Sequence, residues 1–353
     1  VTVRICAAAA AILVSAGCGA SSTTSTPSKP LPPVNVRALS LKEGFGDMDR
    51  LAAAARQEGS LNVIGLPHDW MNYGGLIATF AEKYGVKVNE IEPNASSARQ
   101  IQAAAQLKPD VFDLTLDVAV AHANRFAPYR VAGWQDVPDD VKDPSGAWYA
   151  AYGSYMSIGY DPRVPAPASF ADLAKPGYTV ALDGDPLRSE AAFDGVMAAS
   201  LERGTPHVRR GVELFGKLGQ AGRLTDPARA NVIVTWDHVN ARRAAQRPDG
   251  WKVVIPKDAP LGSYHVQAIY KNAPHPAAAR LWEEFLFSDE GQNLLLRGYA
   301  RPARAEAMLM RGKLDTQMGA KLPVPPGPPV LLTIPQTDAG KSYLKREWTK
   351  SVR

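Results

Sequence analysis

Cysteine is almost absent: the 353-residue chain holds two, Cys6 and Cys18. Both fall within the first eighteen residues, so no disulfide staples the body. Basic runs are missing as well. Lys and Arg number 40 against 35 acids, a formal +5, yet they never gather beyond pairs such as Arg209-Arg210 and Arg242-Arg243. A nucleic-acid footprint needs a concentrated basic face, so no nucleic-acid partner is expected. The common enzyme signatures fail in turn, with no G-x-S-x-G, no H-E-x-x-H and no C-x-x-C. "PQTDAGKS" (335–342) imitates a phosphate loop, but Pro335 stands where its first glycine belongs. The His residues at 68, 122, 207, 238, 265 and 275 show no metal-ligand spacing and read mostly as surface or capping residues. Neither a metal nor a cofactor is expected. No internal repeat of short period is present.

The apolar run "ICAAAAAILVSA" is too short to span a bilayer. With Arg4 before it and small residues after it, residues 1–17 read as an export signal. "SAGC" resembles a bacterial lipobox, which would make Cys18 the lipidated first residue of the mature chain. Ser15 stands where a Leu is usual, and a non-lipidated signal is the alternative. "GASSTTSTPSKPLPPVN" follows, rich in Ser, Thr and Pro, so residues 18–44 read as a tether. A lipid, a tether and a large body place the protein on the outer face of the cell membrane or in the periplasm.

Beyond the tether, 45% hydrophobic and 21% charged content is ordinary for a globular chain long enough for two cores. Helix and strand alternate. "DMDRLAAAARQEG" is a helix ended by Gly59, "LNVIGL" a buried strand, "YGGLIATFAEKYG" a helix with Leu76, Ile77 and Phe80 on one stripe, and "VKVNEIE" a strand. A helix at 96–106 and the strand "VFDLTLD" continue the order. The second half repeats it with "YTVALDGDP", two helices, and "NVIVTWD" entering "HVNARRAAQR". Such order predicts an α/β protein of two lobes, each a mostly parallel sheet flanked by helices. The aromatic-rich strands at about 148–162 and 262–272 read as two crossovers. The expected division is 45–160 for the first part of lobe 1, 161–260 for lobe 2, and 261–353 for the return to lobe 1. Helices at 276–287, 289–298 and 337–349 complete that return, and "KLPVPPGPPVLLTIP" is an extended strap.

Ligands of open α/β sheets sit beyond the carboxyl ends of the strands. Asp69 and Trp70 follow "LNVIGLP", Asp117 ends "VFDLTLD", Asp183 and Asp185 follow "YTVAL", and Trp236 with Asp237 ends "NVIVTWD". Each acid precedes a helix and could be its N-cap. Capping does not account for a Trp beside an Asp in each half. Carboxylates with aromatic faces suit an organic cation, and Tyr73, Tyr155, Tyr264, Tyr152 and Gln267 could add walls or hydrogen bonds. The opposite possibility is an anion at helix N-termini, partnered by Arg99 or Arg188.

From about residue 45 to 350 the chain resembles the extracellular solute-binding proteins of bacterial ABC importers, in the two-lobed group that includes polyamine and ferric-iron binders. "EGSLNVIGLPHDWMNYG", "TWDHVNA" and above all "APHPAAARLWEEFLFSDEGQ" carry the resemblance. It implies a non-enzymatic monomer that closes on a small solute and presents it to a permease with its ATPase. The iron binders' adjacent Tyr pair is absent from this sequence. The leading cargo is a polyamine or another organic amine, bound by Asp69, Trp70, Tyr73, Asp117, Tyr155, Asp183, Asp185, Trp236, Asp237 and Tyr264. Hinge strands near 155–160 and 261–266 would let the lobes close. A phosphorylated or phosphonate solute, a ferric complex, and an exported hydrolase using two of these carboxylates are the rivals.

Overall fold

Asp47 accepts a hydrogen bond from the Arg50 amide, and Gly59 closes the same helix at φ 83°, a conformation that disfavours side chains. The result is α1 (Met48–Glu58), with Leu51, Ala52 and Ala55 turned inward. In this computed structural model, which describes residues 33–247 and 250–352, the alternation continues. It runs through β1 (Ser60–Ile64), α2 (Tyr73–Tyr84), β2 (Lys87–Ile91), α3 (Ser97–Leu107), β3 (Val111–Thr115) and α4 (Leu116–Ala121). After β4 (Tyr149–Tyr160) come β5 (Val180–Leu182), α5 (Glu190–Ala199), α6 (Val208–Gln220), β6 (Val232–Trp236) and α7 (Asp237–Gln246). The chain then makes β7 (Gly262–Tyr270), α8 (Pro276–Leu286), α9 (Asp289–Arg297) and α10 (Ile334–Ser351).

The main strand order is β2-β1-β3-β7-β4-β6-β5. β1 pairs in parallel with β2 and β3, and β5 with β6, as the helical connections between them require. The two long crossing strands pair antiparallel, β7 with β3 and β4, and β4 with β6. Residues 149–155 of β4 lie against β7 and residues 156–160 against β6, so one strand serves both lobes.

Two hydrophobic cores result. The first gathers Leu61, Val63, Phe80, Phe112 and Trp282, with the Phe80 and Trp282 rings 5.3 Å apart near right angles. The second gathers Met156, Ile158, Phe193, Phe215, Val232 and Val234. α10 joins this second core through Leu344 and Trp348, with the Trp348 ring 6.2 Å from Phe215. The sequence had placed that helix in the return to lobe 1. Its apolar stripe instead finds the exposed face of α6, and the proline strap carries the chain there. The end of the expected tether also packs: Ala38 is buried, and its carbonyl accepts from the buried Arg280. The export signal, Cys18 and the rest of the tether lie outside the described residues. Among the described residues, no helix is long and apolar enough to cross a membrane.

Candidate functional site

Gly65 directly follows β1, and its φ of +71° and contact with Gln100 leave no room for a side chain: a Cβ would lie 2.1 Å from Gln100 Nε2. The following turn holds Met71 and Asn72 in the left-handed region, φ 48° and 61°. Two such residues in succession cost energy that the surroundings must offset. They aim Trp70 inward.

The Trp70 indole Nε1 donates to the Tyr152 hydroxyl at 3.0 Å, and that hydroxyl donates to Asp113 Oδ2 at 3.0 Å. Gln267 Nε2 donates to Asp113 Oδ1 at 3.2 Å and to the Tyr73 hydroxyl at 3.1 Å. His265 Nδ1 lies 3.3 Å from the same carboxylate, and its ring stacks on Tyr152 with centroids 5.0 Å apart. A bulge makes that stack possible. His265 stands opposite Tyr152 and Val266 opposite Ala150, leaving Ala151 unpaired in the ladder. Burial, then the Asp113 charge, pushes the Tyr73 and Tyr152 phenols far up, so both stay neutral. Burial alone would push His265 down; Asp113 outweighs it, assisted by Glu190 and Asp117, and the net shift is upward. Tyr152→Phe removes the hydroxyl between Trp70 and Asp113 and is expected to cost about 1–3 kcal/mol in urea unfolding. No measurable change would contradict this account of the network.

The second lobe supplies the opposite wall. Trp236 ends β6, and Asp183 follows β5, accepting from Thr235 Oγ1 at 2.7 Å. His238 stands edge-on to Trp70, ring centroids 4.8 Å apart, with Nδ1 2.9 Å from Ser154 Oγ. Burial, followed by the charges of His265 and Arg242, holds its pKa down at about 3, so the imidazole is neutral, and its buried Nε2 has no partner among the described residues. Glu190 and Asp194 lie one turn apart on α5. Burial, reinforced by Glu190 and Asp117 against the pull of Lys341, pushes Asp194 up to about 8.

These groups surround a cavity of about 330 Å³, at the small end of the ~300–1,000 Å³ usual for small-molecule sites. Asp113, Asp183, Glu190 and Asp194 line it together with Trp70 and Trp236, and among the described residues no Lys or Arg lines it. The acids are spread round the wall. Among the described residues, no group of three or more His, Cys, Asp or Glu side chains is placed to hold a metal ion.

Of the residues expected at the site, Trp70, Asp183 and Trp236 line this cavity. Asp117 and Tyr264 line a neighbouring pocket of about 80 Å³ that shares Thr115, Glu190, Asp194 and Ser263 with it. Tyr73 is buried beneath, against Gln267. Tyr155 sits on the crossing strand, its hydroxyl donating to the Gly327 carbonyl at 2.9 Å. Asp69 is exposed, and its backbone carbonyl, not its carboxylate, accepts from Arg242. Asp185 is exposed and caps a turn through the Leu187 amide. Asp237 is fully buried, its carboxylate taken by Arg301 Nε at 2.6 Å and by the amides of Tyr155 and His238. None of the five acids is the N-cap of the following helix; those caps are Asn72, Thr115, Ser189 and Trp236. Arg99 pairs with Glu92, and Arg188 lines a separate pocket with Lys341 and Lys345.

Sequence reasoning passed over Asp113, Glu190, Asp194, His238 and His265. Two signals were present. Asp113 interrupts an otherwise apolar buried strand, and Glu190 with Asp194 sets like charges one helical turn apart, which is unfavourable without a purpose. The two His residues, of a set read mostly as surface or capping groups, stand at the cavity wall, His238 just after the end of β6 and His265 at the bulge in the β7–β4 ladder.

Two cores, one crossing strand shared between them and a cavity walled from both sides define a two-lobed receptor. The chain belongs to the bacterial extracellular solute-binding protein family, which matches residues 110–324. Its fold is similar to that of a spermidine/putrescine ABC transporter substrate-binding protein from Streptococcus pneumoniae (TM-score 0.61, 14% identity, covering 83% of this chain and 99% of that one). It is also similar to the ferric ion-binding protein A of Pasteurella haemolytica (TM-score 0.60, 14% identity, 82% and 97%). A third likeness is to the periplasmic binding protein AfuA of Actinobacillus pleuropneumoniae, solved with fructose-6-phosphate (TM-score 0.56, 17% identity, 83% and 98%).

Proposed function

We propose that the protein captures a small organic amine, with a polyamine as the first candidate, and delivers it to the permease and ATPase of an ABC importer. It would do so as a non-enzymatic monomer, exported and anchored outside the membrane through Cys18. The observation that supports an amine is the cavity wall: four carboxylates and two Trp, with no Lys or Arg lining it among the described residues. An ammonium group gains roughly 0.5–2 kcal/mol over an aromatic face and charge-assisted hydrogen bonds from ionised acids. A phosphate there would meet like charge.

Closure follows from differential contact. A solute touching Trp70 and Asp113 on one side and Trp236 and Asp183 on the other stabilises the closed form alone, and so shifts the population toward it. The test is thermal unfolding of the mature domain with putrescine, spermidine, phosphorylated sugars, phosphonates and ferric citrate. A true ligand at 100 times its dissociation constant stabilises by about 2.7 kcal/mol. A shift with the amines alone is expected; a shift only with phosphorylated solutes or the ferric complex would overturn the amine reading.

A further inference from the structure

We propose that Asp194 is the counter-ion for the solute's ammonium group and that it gives up a proton when the solute binds. The proposal rests on the amine reading above and adds to it the residue that selects for charge.

Two of the cavity's other acids have other duties, and the third, Glu190, is exposed. Asp113 is held by Tyr152 and Gln267, and Asp183 by Thr235. Asp194 belongs to the walls of both the main cavity and its narrow neighbour, yet its carboxyl makes no hydrogen bond or ion pair among the described residues. Partly buried, on the cavity wall and without a partner among the described residues, it is a group that a ligand can complete.

The charged groups around it are Glu190 on the same helix, Asp117 on α4, and Lys341 on α10. Asp113, Asp183, His238 and His265 also line the cavity. Lys341 is the cation that pulls on Asp194, and its Nζ sits over the Phe193 ring at 5.6 Å, in no ion pair with either acid among the described residues, while Arg188 and Lys345 line a further pocket with it and Glu190. Burial and two like charges therefore outweigh it, which is why Asp194 titrates near 8. In the empty protein at neutral pH the carboxyl carries its proton.

An ammonium group within about 4–6 Å favours the carboxylate. The O–H bond breaks, the proton leaves to solvent, and the electron pair stays on the carboxylate beside the bound cation. A neutral solute of the same shape meets only a hydroxyl donor. Capture of a cation should then strengthen by about tenfold per pH unit below pH 8 and level off above it. His265 is the second group that could lose a proton to an arriving cation, since its shift is also upward. The two must be separated by mutation.

The experiment is isothermal titration of the folded chain with putrescine and with spermidine at pH 6, 7 and 8, in buffer pairs of different ionisation heat. It compares the wild type with Asp194→Asn and His265→Gln. The expected wild-type result is release of about one proton at pH 7 together with the pH slope. Asp194→Asn should lose both and bind at least about tenfold more weakly at pH 8, while His265→Gln keeps both. Tight binding without proton release, or release that persists in Asp194→Asn, would overturn the proposal and leave the amine reading standing. Binding of phosphorylated solutes but of neither amine would overturn that reading and the proposal with it.

Asn matches the protonated acid in shape, so the variant should fold, and unliganded protein gives an independent check. A group whose folded pKa is raised contributes stability present below its ordinary value of 3.8 and lost as pH rises toward 8. The wild-type melting temperature should therefore fall relative to Asp194→Asn across that window. Parallel curves would also overturn the proposal.

Discussion

Asp237→Ala is expected to lower the unfolding free energy by about 3–5 kcal/mol, with no ligand present. The carboxylate has no exposed surface, and it joins the start of α7 in the second lobe to Arg301 in the first. Its removal leaves the Arg301 guanidinium, which lies 5.4 Å over the Tyr155 ring, without its counter-charge. The Tyr155 and His238 amides also lose their acceptor. Burial pushes the Asp237 carboxyl upward against the pull of Arg301, so the pair itself adds little beyond its own desolvation cost. The double variant Asp237→Leu with Arg301→Met should therefore recover much of the loss. Urea denaturation of the two variants measures both effects. A loss under about 1 kcal/mol for the single variant would show that this pair is solvated and that Asp237 is available to a ligand after all.

The second large effect is on binding. Trp70→Ala should weaken putrescine or spermidine binding by about tenfold to thirtyfold, equivalent to about 1.4–2 kcal/mol, and leave the fold intact. Trp70 is half-buried and rests on the edge of the first core, so only part of its packing is lost. Its ring is a wall of the cavity and the edge on which His238 rests. Its Nε1 also supplies the Tyr152 hydroxyl with a donor. Trp70→Phe keeps an aromatic face and loses that donor, so its affinity should fall between the two. Titration calorimetry on protein with a wild-type melting curve decides the matter, and unchanged affinity for the alanine variant would remove Trp70 from the site.

Much of the architecture was legible because its causes are local. Asp47 and Gly59 bracket α1, and Leu76, Ile77 and Phe80 draw the inner stripe of α2. The crossing strands stood out because a run such as "YAAYGSYMSIGY" is buried on both faces along nearly its whole length. Trp70 and Trp236 were found at strand ends for the reason that ligand sites of α/β sheets gather there. The errors also have physical causes. Asp69, Asp117, Asp183, Asp185 and Asp237 look alike in a sequence, yet one lies exposed, one caps a turn, and one is neutralised by an arginine 64 residues away. Which of these happens is decided by a distant partner. Glu190 and Asp194 escape a reading of strand ends because they belong to a helix, α5. α10 was assigned to the wrong lobe because an amphipathic stripe states that it will be covered and not by what.

The proline strap that carries the chain to α10 has a mechanical meaning. Beyond the two strands, it is a third covalent crossing between the lobes. Gly327 accepts from Tyr155, and Val330 exchanges backbone hydrogen bonds with Pro260 and Gly262 beside the hinge. Leu331 rests on the first core and Leu332 on the second. A pair of bodies joined at one point can tumble in every direction, whereas three neighbouring joints leave them a single swing. Opening of the proposed receptor would therefore sample few orientations, and little of a solute's binding energy would be consumed in aligning the walls that must meet it.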